Sequence, residues 1–344
     1  MLKKVKAFTK KTISAYVILI TLAVLSTIFA FVSYYFVLKS SRALDSPKPK
    51  QYTYHFAMIT ESTGSAFWND VYQGAAEAGE QNDAYVELIG NGLVDQFSVE
   101  EFIDMAIYQK VDGILVHPND GYGVKRMIQK AEDSGIPVIT MQKDVPDSGR
   151  LGSVSVNYYL LGLEYGDAVN KASDPDTRLI AVLIPQANFD EAGKLQFQSG
   201  LTEALNNKAI QCAFNVVLDE NGLNNSPEII LPMLQDESHY PDFIICLDPI
   251  VTQNVYQMIS DSNLIDRVKI MGYYISDDIL IGIERGSINA SVTFDARLLG
   301  KCGAEALVHY KRGGAVGCGE EFSVHVIDRD NVDEYTGGAG HETD

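Results

Sequence analysis

The chain has 344 residues, of which 46% are hydrophobic and 21% are charged, so it can form one large or two medium cores and is not wholly disordered. Residues 1–50 hold nine of the 27 Lys and Arg residues and one of the 46 Asp and Glu residues, so their net charge is +8 and that of the remainder is −27. Such an acidic surface repels a phosphate backbone, and residues 51–344 are not expected to bind nucleic acid.

The N-terminal segment has the pattern of a membrane anchor. Five lysines precede a run of 27 residues without a charge, from Thr12 to Leu38. A helix of that length exceeds the roughly 30 Å of bilayer hydrocarbon, and the lysines favour a cytoplasmic N-terminus. A signal peptide is the alternative, although its apolar core is usually about 7–15 residues long. We predict a cytoplasmic segment over 1–11, a single-pass membrane helix over 12–38, a tether over 39–51 and an extracellular binding domain.

From Tyr52 onwards, unbroken apolar runs alternate with helical patterns. The predicted strands span 55–60, 85–90, 113–117, 137–141, 179–184, 214–218, 243–247, 268–272, 288–294 and 322–327. The predicted helices span 67–83, 99–109, 124–134, 160–171, 191–207, 250–260 and 296–310. Unbroken runs are typical of strands covered on both faces, so the pattern predicts two doubly wound α/β lobes with parallel sheets. A single α/β barrel is the alternative, but it has eight strands and the chain offers more.

The four cysteines form no CxxC pair and no pattern with histidine. This spacing indicates neither a metal site nor a redox motif, and no cofactor is predicted. Buried free thiols are the expected state of Cys212, Cys246, Cys302 and Cys318. A bond between Cys302 and Cys318 stays open, because the sequence does not fix the separation of their Cα atoms.

Residues that directly follow strands are candidates for a site, because open α/β sheets bind ligands beyond the carboxyl ends of their strands. They form no catalytic constellation: serines lack a GxSxG elbow, aspartates lack a defined pairing, and Gly121 and Gly123 do not make a phosphate loop. We therefore predict no enzymatic activity, with an enzyme anchored outside the cell as the less favoured alternative.

Aromatic and carboxylate residues near strand ends favour binding. Phe67 and Trp68, the only tryptophan, lie at the start of a predicted helix that follows the first strand. A ring that faces a crevice packs on the apolar face of a sugar, while amides and carboxylates bond its hydroxyl groups. Core packing of both rings is the alternative. Asp248 follows a wholly apolar strand and is the leading polar candidate.

Several segments together resemble type I periplasmic binding proteins of the ribose and galactose type, which are similar to the effector domain of LacI-type repressors. They are STGSAFWNDVYQGAAEAGE (62–80), VDGILVHPND (111–120), SGIPVITMQKD (134–144), PDFIICLDP (241–249), VKIMGYY (268–274) and GSINASVTFDARLLG (286–300). The resemblance spans about 52–330. A repressor would carry a basic helix-turn-helix ahead of this domain, where this chain has an apolar segment.

The resemblance implies two lobes joined by three hinge crossings, with the ligand held between them. The implied lobes are 52–156 plus 295–322 and 157–294 plus 323–336, and we expect a disordered tail over 337–344. By position, the implied ligand contacts are Ser65, Phe67, Trp68, Gln142, Lys143, Asn157, Lys194, Glu220, Asp248, Tyr274 and Phe294.

Four of these positions depart from the ribose-type pattern. Gln142 and Lys143 replace an Asp–Arg pair. Tyr274 replaces an Asp, and Phe294 replaces the hinge Gln. A planar Arg side chain and a carboxylate can each form several hydrogen bonds to the hydroxyl groups of a sugar. Their loss leaves fewer such bonds, so a simple pentose is not implied. We predict a membrane-tethered receptor for a sugar-like molecule that signals to a sensor kinase or feeds an ABC-type importer, with a ligand-free scaffold as the alternative.

Overall fold

The structure is a computed structural model in which the chain divides into two compact units, Met1–Gln51 and Tyr52–Asp344. The residues that it describes are 21, 23–35, 50–60, 65–92, 97–119, 122–186, 188–205, 210–218, 226–234 and 240–336. The predicted cytoplasmic segment, most of the tether and the C-terminal tail lie outside the described residues.

The predicted membrane anchor is wrong. In the first unit, the described helical residues are 21 and 23–35, and the rest of the predicted span lies outside the described residues. A spanning helix needs about 20 consecutive apolar residues. Among the helices of the described part, none is long and apolar enough to cross a bilayer. The prediction of a single-pass membrane protein with an extracellular binding domain is therefore wrong as well.

Five parallel strands form the first sheet, in the order β2-β1-β3-β4-β5. They are β1 (Tyr54–Ile59), β2 (Ala84–Leu88), β3 (Gly113–Val116), β4 (Val138–Met141) and β5 (Gly152–Val154). The helices between them are α1 (Ala66–Gln81), α2 (Val99–Gln109) and α3 (Tyr122–Asp133). Every residue of β3 and β4 is buried, as their unbroken apolar runs predict.

Six strands form the second sheet, in the order β11-β10-β9-β8-β6-β7. They are β6 (Leu179–Pro185), β7 (Gln211–Leu218), β8 (Phe243–Cys246), β9 (Lys269–Tyr273), β10 (Ala290–Phe294) and β11 (Val324–Asp328). The helices that accompany them are α4 (Tyr158–Ala172), α5 (Glu191–Ala204), α6 (Ser226–Met233), α7 (Pro249–Asp261), α8 (Asp277–Glu284) and α10 (Asp333–Thr336). Helix α9 (Ala296–Lys311) follows β10 but packs against α1 and the first sheet.

The chain passes between the two sheets three times: after β5, after β10 and before β11. Strand β11 is antiparallel to β10, because the chain leaves the second sheet at the end of β10, returns beside that end at the Phe294–Val324 pair, and runs back along β10. We call β1–β5 with α1–α3 and α9 lobe 1, and β6–β11 with α4–α8 and α10 lobe 2. The prediction of two doubly wound α/β lobes is confirmed, with one antiparallel edge strand added.

Helix α9 packs closely on α1 of lobe 1 and is joined by a covalent bond to the segment that follows it. A Cβ on Gly74 of α1 or on Gly300 of α9 would clash with the backbone of the facing helix, so the helices cross in direct contact. A disulfide joins Cys302 of α9 to Cys318, with Cα atoms 5.0 Å apart. The expectation of free thiols is wrong for this pair, because α9 brings the two residues together, whereas Cys246 is free and buried. The side chain of Cys212 lies outside the described part.

Candidate ligand site between the lobes

Five aromatic side chains meet where the carboxyl ends of the two sheets approach each other. Phe67 and Trp68 come from the first turn of α1 in lobe 1, while Tyr273, Tyr274 and Phe294 come from the ends of β9 and β10 in lobe 2. All five side chains are buried. We call this group the cleft cluster. It combines side chains from two lobes whose sheets share no strand.

Phe67 makes the contacts that join the two halves of the cleft cluster. Its ring centroid lies 5.1 Å from that of Trp68, 5.0 Å from that of Tyr274 and 5.8 Å from that of Phe294. All three pairs are edge-to-face, the arrangement that the charge distribution of aromatic rings favours. The other side of the cluster is closed by His117, which follows β3 and whose ring centroid lies 4.5 Å from that of Trp68.

Hydrogen bonds also link the lobes beside the cleft cluster. The Nζ atom of Lys143, which follows β4, donates to the Gln186 carbonyl after β6 at 2.9 Å. The Tyr158 hydroxyl lies 2.7 Å from the Gln142 carbonyl and 3.0 Å from the Asn188 carbonyl, so one phenol touches both rims. The two lobes are therefore in direct contact through polar groups as well as through rings.

Tyr274 forms a further bond across the cleft. Its hydroxyl donates to Asp70 Oδ2 at 2.5 Å, and Asp70 lies one helical turn after Phe67 in α1. Burial and the bond to Asp70 raise the pKa of Tyr274, because both favour the neutral phenol. The phenol therefore keeps its proton at neutral pH and acts as a donor to lobe 1.

Each rim carries a residue with a left-handed backbone. Gln142 follows β4 and Tyr274 follows β9, and both have φ of 64°. Their N–H groups donate to the neighbouring strands in the same way, to the carbonyls of Val154 and Val292 respectively, at 2.8 Å in each case. This conformation costs about 1–2 kcal/mol in residues other than glycine and is concentrated at functional sites.

Asp248 begins α7 and faces Asn188 of the same lobe. Its Oδ1 atom accepts hydrogen bonds from two backbone N–H groups of α7, at 2.8 and 3.2 Å, and Oδ2 accepts from Asn188 Nδ2 at 3.2 Å. Pro249 at the first helical position fits this cap, since it has no N–H to satisfy. Burial raises the pKa of Asp248, although these three bonds oppose that shift.

The predicted contact residues that remain are Ser65, Asn157, Lys194 and Glu220. Ser65 is half-buried at the N-cap position of α1. Asn157 is exposed, and its side-chain oxygen caps α4 by accepting from two backbone N–H groups. Lys194 forms an ion pair with Glu191 at 2.8 Å within α5. Glu220 lies outside the described residues.

Several residues of the cleft are absent from the predicted ligand contacts: Asp70, His117, Tyr158, Gln186, Asn188 and Tyr273. Some signals for them exist in the sequence. Gln186 and Asn188 follow a predicted strand within a few residues, and Asp70 lies one turn after Phe67 on the same predicted helix. The arrangement of rings, amides and hydroxyls is suited to binding. Within the described ranges, no group of three His, Cys, Asp or Glu side chains is placed to hold a metal ion.

The periplasmic binding protein domain model matches residues 56–315, which is most of the chain. The chain belongs to the periplasmic binding protein family. Its resemblance to type I members is thereby confirmed. Among curated proteins, the ABC transporter periplasmic-binding protein YphF of Escherichia coli K12 is 29% identical over 110 residues. That match spans 31% of this chain and only 33% of YphF.

Solved structures of this family share the fold at low sequence identity. GanP, a glucose-galactose binding protein from Geobacillus stearothermophilus, is 19% identical with a TM-score of 0.68 over 81% of this chain and 98% of GanP. A solute-binding protein from Burkholderia graminis C4D1M in complex with D-arabinose is 18% identical, with a TM-score of 0.69 over 83% and 98% of the two chains. A chain of the XylFII–LytSN complex is 22% identical, with a TM-score of 0.66 over 80% and 98%. These values establish a common architecture.

Proposed function

We propose that the chain binds a sugar-like solute between its lobes, without transforming it, and that a membrane partner reads the bound state. The observation that carries the proposal is the cleft cluster, to which both lobes contribute rings. Aromatic rings pack on the apolar face of a sugar, and groups such as Gln142, Asn188 and Asp248 at its border are suited to the hydroxyl groups. A ligand that touches both rims would stabilise the closed arrangement of the lobes.

The relatives support this proposal. Two of the solved structures that share the fold contain D-arabinose, and another contains D-allose. The names of several relatives place them with ABC transporters, and one relative is solved in a complex with a second protein, LytSN. We therefore propose an ABC-type importer or a sensor kinase as the partner of this chain.

The fluorescence of Trp68 tests the proposal directly, because it is the only tryptophan in the chain. Its ring contacts Phe67 and His117, so entry of a sugar between the lobes would change its surroundings. We expect a saturable change in emission with at least one member of a panel of neutral and acidic monosaccharides, and matching heat in calorimetry. If no sugar of the panel changes the emission or releases heat, the proposed function is wrong.

A ligand-free scaffold is the second candidate, and a specific observation favours it. The contacts of Phe67 with Tyr274, together with the Tyr274–Asp70 and Lys143–Gln186 bonds, join the lobes directly. Such contacts between the lobes would favour a closed cleft in a scaffold that binds no solute. Small-angle scattering separates the candidates: a receptor becomes more compact or more uniform when sugar is added, whereas a scaffold keeps the same radius of gyration.

The two proposed partners predict different effects of deleting the gene on sugar uptake and on transcription. Deletion of the gene should abolish uptake of the labelled sugar if the chain feeds an importer. If the chain serves a sensor kinase, uptake should persist while the sugar no longer alters transcription. Unchanged uptake and unchanged transcription would remove both partners from the proposal.

A further inference from the structure

The third crossing between the lobes is a glycine-rich segment, residues 312–323, which joins α9 of lobe 1 to β11 of lobe 2. Most of its residues are exposed. A Cβ added at Gly313, Gly317 or Gly319 would meet nothing within 4 Å among the described residues. The crossing therefore has little packing of its own, and its position depends on the few points at which it is attached.

The Cys302–Cys318 disulfide attaches this crossing to α9. The bond leaves only residues 319–323 between its point of attachment and β11. A second attachment is the ion pair between Lys301 and Glu320 at 2.6 Å, whose side chains are 40% and 52% exposed. Because exposed ion pairs contribute little to stability, the disulfide is the stronger of the two attachments.

The same crossing reaches the cleft cluster through Phe322. The ring centroid of Phe322 lies 6.4 Å from that of Phe294, in an edge-to-face arrangement. Phe294 in turn packs on Phe67, which joins the two halves of the cleft cluster. Phe322 lies only four positions after Cys318, so the disulfide limits where the Phe322 ring can lie.

We infer that this disulfide is a thiol-sensitive switch, which holds Phe322 against Phe294 and so controls how the lobes close on a ligand. Without the bond, the part of the crossing that no cross-link restrains grows from 319–323 to 312–323. A longer span samples more conformations, so the Phe322 ring would pack less firmly on Phe294. Because it concerns the regulation of the cleft, this inference rests on the proposed function.

Reduction of the bond by a dithiol is an ordinary exchange of thiols and disulfides. Cys318 is half-buried and Cys302 is fully buried, so a thiolate reaches the sulfur of Cys318 first. The S–S bond breaks, and its electron pair leaves on Cys302 Sγ, which takes a proton. The second thiolate of the reductant then displaces Cys318 Sγ, which is protonated in turn. The protein gains two electrons and two protons, and the dithiol becomes a cyclic disulfide.

Dithiothreitol, added to the unaltered full chain without sugar, tests the switch. A thiol titration under denaturing conditions should count two more thiols than in the untreated chain. The emission of Trp68 should shift, because its ring contacts Phe67 of the same cluster. The radius of gyration should rise as the contacts between the lobes loosen. Oxidation with oxidised glutathione should restore the original emission and radius.

The effect on binding is measured by titration of both redox forms with D-arabinose, D-allose, D-galactose and D-glucose. We expect the reduced chain to bind a sugar about two- to tenfold more weakly than the oxidised chain, the range of one aromatic contact. The loss should appear mainly as faster dissociation, since a cleft that closes less firmly releases its ligand sooner.

Substitutions then test the residues. The double variant Cys302→Ala/Cys318→Ala should resemble the reduced chain and should not respond to dithiothreitol. Phe322→Ala should shift the emission of the tryptophan while its disulfide is intact. Val316→Ala is the matched control, since Val316 lies on the same crossing and packs beside Gly152 of β5, and it should behave as the parent chain does. If the double variant fails to fold, reduction of the parent chain and Phe322→Ala still decide.

The outcomes separate the two claims. A bond that opens while emission, radius of gyration and affinity stay unchanged would overturn the inference and leave sugar binding intact. A bond that resists dithiothreitol in the folded chain, or a response that persists in the double variant, would overturn it as well. Failure of every sugar to bind either form would instead contradict the proposed function, while the ligand-free measurements would still show whether the bond controls the cleft.

Discussion

The two lobes present the same backbone arrangement to the cleft but different side chains. In each lobe, the residue that follows a strand is left-handed and its N–H group bonds to the next strand, as Gln142 does in lobe 1 and Tyr274 does in lobe 2. Lobe 1 adds the rings of Phe67 and Trp68 and the charge of Lys143. Its rim therefore offers apolar surface and a cation.

The rim of lobe 2 adds oxygens and an amide to the rings that it contributes to the cleft cluster. Tyr158, Tyr273 and Tyr274 contribute phenols, and Asp248 and Asn188 form a bonded pair beside them. The two rims therefore differ in the side chains that they bring to the cleft. If the proposed solute lies in the cleft, rings of both lobes would pack on its apolar face, and most of the polar groups around it would come from lobe 2.

Removal of the principal ring of lobe 1 should have the largest effect. Trp68→Ala is expected to weaken sugar binding by at least about 100-fold, because truncation of a buried tryptophan in a binding site costs about 3 kcal/mol or more. Calorimetry and urea unfolding check it, and unfolding should stay cooperative. Tyr85→Ala is the control, since that ring is exposed on β2. An unaltered affinity in Trp68→Ala would place the sugar elsewhere.

Removal of the lobe 2 carboxylate should have the next largest effect. Asp248→Ala is expected to weaken binding by about 1–3 kcal/mol through loss of a hydrogen-bonding group, and to lower stability by about 0.5–2 kcal/mol through loss of the α7 cap. Ser276→Ala removes the cap of α8 in the same lobe and serves as the control. The control should lose stability alone. Equal affinities in both variants would confine Asp248 to a structural role.

The bond between the lobes should have a smaller effect. Tyr274→Phe removes the hydroxyl that donates to Asp70 and should reduce the preference for the closed arrangement by about 1 kcal/mol. The radius of gyration of the ligand-free chain should then rise and the sugar should dissociate faster. Tyr256→Phe removes a hydroxyl on α7 and should change neither quantity. Indistinguishable scattering of Tyr274→Phe and the parent chain would show that the bond does not hold the lobes together.

The smallest effect should be on stability. The contributions of Asp144 in lobe 1 and Asp248 in lobe 2 to the free energy of unfolding should change with pH in opposite directions. Burial acts to raise the pKa of Asp144 in lobe 1, but the Arg150 ion pair, the Val145 N–H group and Thr140 together lower it. The ionised carboxylate of Asp144 stabilises the fold at pH values above its ordinary pKa of about 3.8. This contribution is lost as the pH falls through the lowered pKa. Burial raises the pKa of Asp248, so its protonated side chain stabilises the fold below about pH 3.8. This contribution is lost as the pH rises through the raised pKa.

Urea unfolding from about pH 2 to pH 7 checks these signs in Asp144→Asn and Asp248→Asn. The stability advantage of the parent chain over Asp144→Asn should shrink as the solution becomes more acidic. Its stability relative to Asp248→Asn should fall as the solution becomes less acidic, since asparagine still caps α7. Parallel curves for the parent chain and either variant would contradict the corresponding pKa shift.

Most elements of the two lobes were predictable because their signals are local. Helix α2 spans the predicted 99–109, and its start is marked by Ser98 and Glu101, which form a capping box. Strands buried on both faces appear as unbroken apolar runs. Strand β5 was not predicted, because its three residues make no such run, and helices α6 and α8, at eight residues each, are too short for a clear period.

The site was predictable only in part. Phe67, Trp68 and Asp248 stand beside strand ends, which is a signal in the sequence. The bond between Tyr274 and Asp70 joins residues 204 positions apart, and no local pattern indicates such a pair. The apolar N-terminal run was misleading, because its composition indicates a spanning helix that the helices of the described residues do not include.

The most direct test is a crystal structure of the chain with the sugar that the titrations identify. We predict that the sugar lies between the lobes, with its ring against Phe67 or Trp68 and its hydroxyl groups facing the polar side chains of lobe 2. A sugar bound outside the cleft, or a cleft in which Phe67 and Tyr274 keep their present contact while the sugar sits elsewhere, would contradict binding between the lobes.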